Sequence, residues 1–122
     1  MKQDSGVYGT NIIFVRLGNF VYFAINGLMN KIPKVNSWSS INLYTIKDKK
    51  LFPNENFDVV YSLERDGSVE DFTNARNTFI VFNRTHKTIQ LWCRSGGIDW
   101  SSYGNGHTYW SCGSYLSSLL LV

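Results

Sequence analysis

At 122 residues the chain is long enough for one hydrophobic core and too short for two, and aromatics at 16% against charged residues at 17% mark a folding chain rather than a disordered one. Its formal charge of +3 is scattered, with Lys47-Asp48-Lys49-Lys50 as the one basic cluster, so the concentrated positive face of a nucleic-acid binder is not expected. No apolar run approaches the roughly 20 residues of a helical membrane span, and Met1 to Gly6 lacks the apolar middle of a signal peptide, so neither a membrane partner nor export by the usual route is expected.

Residues 1–10 are polar and contain glycine, which predicts a linker or flexible lead-in before a domain over residues 11–122. From Asn11 the pattern is β. Asn11 to Leu17 and Phe20 to Asn26 read as two strands joined by Gly18-Asn19, a pair that supplies the positive φ values of a tight hairpin. The second strand is apolar on both faces, with Phe20, Tyr22 and Ala24 on one and Val21, Phe23 and Ile25 on the other. Such a strand needs two partners, the second being another sheet or a neighbouring subunit. Gly27 to Ser40 is irregular around Pro33 and Trp38, and Ser40 to Ile46 is a short strand. Phe57 to Arg65 alternates as a strand, Asp66 to Asn77 is a polar, acidic loop, and Thr78 to Asn83 with Thr88 to Arg94 forms a hairpin. Tyr109 to Leu120 is the last strand. Helical periodicity is absent, so the fold class is all-β, a small antiparallel β-barrel or sandwich of roughly eight strands.

The chemistry concentrates between Trp92 and Tyr115, which holds three of the four tryptophans, both cysteines and five of the ten glycines. Aromatic side chains offer an apolar face with a polar tip, and Gly, Ser and Asn give the backbone freedom, a combination suited to binding sugars and equally found in ordinary turns. Alternation along Ile89 to Arg94 turns Ile89, Leu91 and Cys93 inward and Gln90, Trp92 and Arg94 outward, so Trp92 is a candidate stacking platform with Arg94 and Gln90 beside it. In the loop that follows, Asp99 and His107 have the chemistry to bond vicinal hydroxyls, while Trp100 and Tyr103 are candidate walls; Asp99 alternatively caps its own turn. In the last strand the apolar weight of Trp110, Cys112 and Leu116 predicts that face as core, leaving Tyr109 and Tyr115 outward. Cys93 and Cys112 are expected to be small buried hydrophobes, with a disulfide between them the lesser alternative.

An enzyme is not expected. Glu64, Asp66, Glu70 and Asp71 read as a solvated loop, Asp99 has no close carboxylate partner, and no nucleophile elbow accompanies His86 or His107. Nor is there a Cys/His spacing suited to zinc, so no metal or cofactor is expected.

The run Val15-Arg-Leu-Gly-Asn-Phe-Val-Tyr22, then Leu51-Phe-Pro53, the hairpin from Thr78 to Cys93, and a terminal strand through Gly113-Ser-Tyr-Leu116 resemble the C-terminal head domains of phage receptor-binding proteins. These sit on the tails and baseplates of siphophages that infect Gram-positive bacteria. The resemblance covers residues 11–122. It implies a homotrimer of β-barrel heads in the virion, at the tail tip or baseplate, joined to other tail or baseplate proteins and binding host cell-wall polysaccharide without catalysis. Trimerisation would account for the second apolar face around Phe20 to Ile25. Saccharide pockets in that family use Trp, His, Asp, Arg and Asn side chains, the residue types of the segment from Trp92 to Tyr109. Alternation and the residue types of the loop, not positions matched to that family, give the expected saccharide site as Trp92, Arg94, Asp99, Trp100, Tyr103, His107 and Tyr109. Two other functions compete: a structural or trimerisation module with no ligand, and a small barrel stacking single-stranded nucleic acid on the same aromatics.

Overall fold

A computed structural model describes residues 2–59, 62–65, 68–69 and 77–121, with backbone alone at 62–65 and 68–69. The described residues form ten strands: β1 (Lys2–Ser5), β2 (Asn11–Leu17), β3 (Phe20–Leu28), β4 (Ser40–Thr45), β5 (Phe57–Val59), β6 (Ser62–Arg65), β7 (Ser68–Val69), β8 (Thr78–Asn83), β9 (Thr88–Cys93) and β10 (His107–Leu116). They make two antiparallel sheets, one of six strands in the order β1-β2-β3-β10-β6-β7 and one of four in the order β4-β9-β8-β5. The sheets do not close on each other, so of barrel and sandwich the fold is the sandwich type.

Alternation builds the interface between the sheets. Val21, Phe23 and Ile25 of β3 are buried, as are Ile80 and Phe82 of β8 and Ile89, Leu91 and Cys93 of β9. Rings from opposite sheets meet in this layer: Phe23 lies 4.6 Å from Phe82 between centroids, and Tyr115 of β10 lies 5.3 Å from Phe82 and 5.4 Å from Phe57. Offset and tilted aromatic contacts of this kind add to the stabilisation from simple burial. The other face of β3 is uncovered, with Phe20 and Tyr22 exposed by 51% and 47%.

Four expectations are corrected. The lead-in at residues 1–10 contains β1, which pairs Lys2 with Phe14 through Ser5 with Asn11 at the edge of the larger sheet. The next segment is held too: Val7 donates its N–H to the Leu43 carbonyl at 2.9 Å, and Gly6 packs so close to that carbonyl that a Cβ would collide with it. The expected strand Phe57 to Arg65 is two strands in different sheets, β5 against β8 and β6 against β10. Glu64, expected in a solvated loop, lies on β6 opposite Thr108. The remainder of the expected acidic loop falls mostly outside the described residues.

The third correction concerns β10, whose alternation runs opposite to the expected phase. Tyr109, Ser111 and Tyr115 are buried, and Trp110 is 40% exposed. Each inward tyrosine finds a hydrogen bond: Tyr109 with the Thr10 hydroxyl at 2.7 Å, and Tyr115 donating to the Leu51 carbonyl at 2.6 Å. Opposite Tyr109 in the register stands Gly27, where a Cβ would run into the phenol ring. A cross-strand glycine thus makes the room that lets the larger ring point inward. Consistent with the reversed phase, Cys112 is exposed; it and the buried Cys93 are both free thiols.

The fourth correction is that β10 ends at Leu116, and the segment after it folds back instead of extending to Leu120. Arg16 holds it there. Its guanidinium donates to Ser117 Oγ at 2.8 Å and to the carbonyls of Gly18, Lys50 and Leu119 at 2.8, 2.6 and 2.5 Å. Asn19 of the hairpin turn accepts from Leu121 N at 2.7 Å with its side chain and from Ser117 N at 2.8 Å with its carbonyl.

Candidate functional site

The seven expected site residues separate into four groups. Trp100 and Tyr109 belong to the core, at 4% and 0% exposure, with ring centroids 6.4 Å apart. Neither offers a face to a ligand. Burial pushes the Tyr109 phenol up to about 12, because the phenolate would lose its hydration there, while the Thr10 hydroxyl offsets part of that rise.

Asp99 is exposed and caps its own turn. Its Oδ1 accepts from Ser101 Oγ at 2.7 Å and from Ser101 N at 3.1 Å, and these bonds hold the carboxyl below the usual range. Tyr103 and His107 form a separate pair with ring centroids 4.8 Å apart. Beside β10 on the 3-10 turn Met29–Lys31, Asn30 bridges to Asn105 at 3.1 Å. Among the described residues the buried His107 Nδ1 and Asn30 Oδ1 have no hydrogen-bond partner.

Trp92 and Arg94 do come together, on the outer face of the four-stranded sheet. The β8–β9 register places Phe79 opposite Trp92, and the two rings lie nearly parallel, 14° apart with centroids separated by 6.3 Å. Arg94 folds over Phe79 with its Cζ 4.6 Å from the ring centroid. A cation over an aromatic face and two co-aligned rings make a flat amphipathic patch. Next to it runs an amide relay: Trp92 Nε1 donates to Gln90 Oε1 at 3.2 Å, and Gln90 Nε2 donates to Asn42 Oδ1 at 3.0 Å. Ser40 stands opposite Trp92 and Asn42 opposite Gln90 in the β4–β9 register, so hydroxyl, amide and indole groups share one face. The expectation that Gln90 reaches freely outward is modified, since it is 9% exposed and spends its amide holding the indole in place.

Chemically the patch can stack an apolar ring face and bond neutral polar groups around it. Phe79 was not among the sequence candidates, although the signal was present: once the Thr78–Asn83 and Thr88–Cys93 hairpin is closed in register, Phe79 must face Trp92.

A second surface distinguishes the larger sheet. On its outer side Leu17 pairs with Phe20, Phe20 with Leu116, Val15 with Tyr22, and Ile13 with Ala24, which in turn pairs with Cys112. Leu17 is 63% exposed, so the face is a continuous apolar area open to solvent, of a kind that marks interaction surfaces. No protein-family model matches the chain, and no curated protein sequence matches it.

Proposed function

We propose that the chain is a non-catalytic adhesion domain that binds host cell-wall saccharide on the outer face of its four-stranded sheet, in the manner of a phage tail or baseplate receptor-binding head. The observation that carries the reading is the Phe79–Trp92–Arg94 patch, its indole fixed by Gln90 and flanked by the exposed Asn42. Pyranose rings have an apolar face bounded by hydroxyls, and this surface presents the complementary pair, flat aromatic area bounded by hydrogen-bonding groups. Shallow sites of this kind bind weakly one at a time. Firm attachment then comes from several copies acting together.

The apolar outer face of the six-stranded sheet supports the companion proposal, that copies of the chain associate through it as a homotrimer. Taken alone, that face also favours a second reading, a structural tail or baseplate module without a ligand of its own.

The experiment combines the solution mass of the purified chain with its binding to intact Gram-positive cells and to their extracted wall polysaccharide. A trimer that binds saturably, and a Trp92→Ala variant that melts normally but binds at least tenfold less, is the expected result. Accessibility of Cys112 to a thiol reagent reports the apolar face directly, because the residue is exposed in the single chain and should be shielded in the trimer. A stable trimer that binds no wall polysaccharide would establish the structural reading instead, and unaltered binding by Trp92→Ala would remove the site from this face.

A further inference from the structure

Two cross-strand pairs follow one another along β4 and β9, Asn42 opposite Gln90 and Ser40 opposite Trp92. Two residues before β4, in the turn that leads into it, Trp38 donates its N–H to the Arg94 carbonyl at 3.3 Å, which ties that turn to the end of β9. Trp38 is 64% exposed, the most exposed of the large hydrophobic side chains among the described residues. It also has φ of +53°, the left-handed region that bulky residues rarely adopt. A backbone held in that region persists only when its surroundings fix it, and such positions concentrate at binding sites.

The surroundings of Trp38 do fix it. Val35 and Ile98 exchange two backbone hydrogen bonds, at 3.0 and 2.9 Å. Ser39 N donates to the Asn36 carbonyl at 3.1 Å, Cys93 N donates to the Ser39 carbonyl at 3.0 Å, and Gly96 N donates to Ser37 Oγ at 3.2 Å. Gly97 lies so close under Val35, Asn36 and Ser37 that a side chain would not fit there. The turn is therefore a rigid mount that holds a large indole out in water, a costly arrangement for a residue that packs well in a core.

We propose that Trp38 is a second stacking subsite for the saccharide bound at Trp92, so that the face takes an extended oligosaccharide lying along β9 rather than a single sugar. The inference rests on the saccharide reading of the Phe79–Trp92 patch and specifies the length and direction of its ligand. From Asn42/Gln90 to Trp38/Arg94 is two steps of two residues, about 13 Å along the strand. That span accommodates more than one ring. Along this line lie the Asn42 side chain, then the Trp92 indole with Ser40 opposite it, then the exposed Trp38 indole, which orders the contacts along the chain.

The test uses wall polysaccharide from a host that the wild-type chain binds, partially hydrolysed and fractionated by size, with affinity measured for each fraction. Trp38→Ala should weaken binding of the longer fragments by about tenfold, the scale of one lost aromatic contact, and leave the shortest bound fragments unchanged. Trp38→Tyr should restore most of the loss. Trp38→Gly, which tolerates the positive φ, should behave as the alanine variant does and separates lost stacking from a disturbed turn. Equal loss across all fragment lengths, or no loss for any, overturns the second subsite while leaving the Trp92 site standing. If the wild-type chain binds no fragment and no intact polymer, the saccharide reading fails and this inference with it.

Discussion

Replacing Arg16 with alanine tests whether the guanidinium clamp holds the fold's end together. The side chain is partly buried and bonds three separate segments: the β2–β3 turn through Gly18 and Asn19, the Lys49–Leu51 turn through Lys50, and the end of the chain through Ser117 and Leu119. Simple addition over five bonds would overstate the effect, because freed carbonyls at the surface turn to water. Ser117 is fully buried, although its Oγ keeps the Lys50 carbonyl and Leu119 N as partners when Arg16 is gone. Counting the bonds to Ser117 and Asn19 in full, at the low end of values for charged groups, and the others in small part gives a loss of about 3 kcal/mol. For a domain of this size that lowers the melting temperature by about 10 °C. Urea unfolding followed by far-ultraviolet circular dichroism measures it. Arg16→Lys should recover less than half, since one ammonium group cannot serve acceptors lying in three directions. An alanine variant within about 1 kcal/mol of wild type would refute the clamp as a source of stability.

Two further outcomes follow from β10. Gly27→Ala places a methyl group against the Tyr109 ring and should destabilise the fold by roughly 2 to 3 kcal/mol, an overpacking cost that Tyr109→Ala in the same chain would partly relieve, as a double-mutant cycle in chemical denaturation will reveal. Stability should also fall in alkali: burial raises the phenols of Tyr109 and Tyr115, so their contribution is complete below the unfolded value near pH 10 and is lost as pH climbs through the folded values, at about 1.4 kcal/mol per unit and group. Denaturation midpoints between pH 9 and about 12 should decline more steeply for wild type than for Tyr109→Phe; parallel curves would show that this phenol is not the cause.

The strands were largely legible from alternation, and so was the phase of β9, because Gln90 and Arg94 leave Ile89, Leu91 and Cys93 as its core side. Turn chemistry served as well at Gly18, whose φ is +61°. Where both faces carry apolar or aromatic groups, as in β10, composition does not set the phase. There the decision lies in partners distant in sequence: Gly27 makes room for Tyr109, and Thr10 satisfies its hydroxyl. The same limit applies to the site. Trp92 could be placed outside from its own strand, yet Phe79 needed the register of a neighbour, and Trp38 lies in an irregular segment where periodicity carries no information. Trp100 shows the opposite case, a loop residue next to glycines that the fold draws into the core at 4% exposure. The polar start of the chain misled for a related reason, since edge strands are often charged and hydrophilic.

The strand that completes the larger sheet is the last one in sequence, yet it sits in the middle, between β3 and β6. During synthesis, β3 is finished some eighty residues before its neighbour exists, as the pairing of Phe20 with Leu116 and Leu28 with Thr108 makes plain. Until the ribosome releases that stretch, β1, β2 and β3 can form only a three-stranded sheet with β3 at an open edge, and neither Tyr109 nor Tyr115 is available to fill the centre. Assembly of the larger sheet thus waits for β10, through contacts whose long separation makes them slow to form. A nascent or truncated chain that stops short of His107 leaves β3 and β6 without the strand that pairs with both, and open edges of that kind invite aggregation.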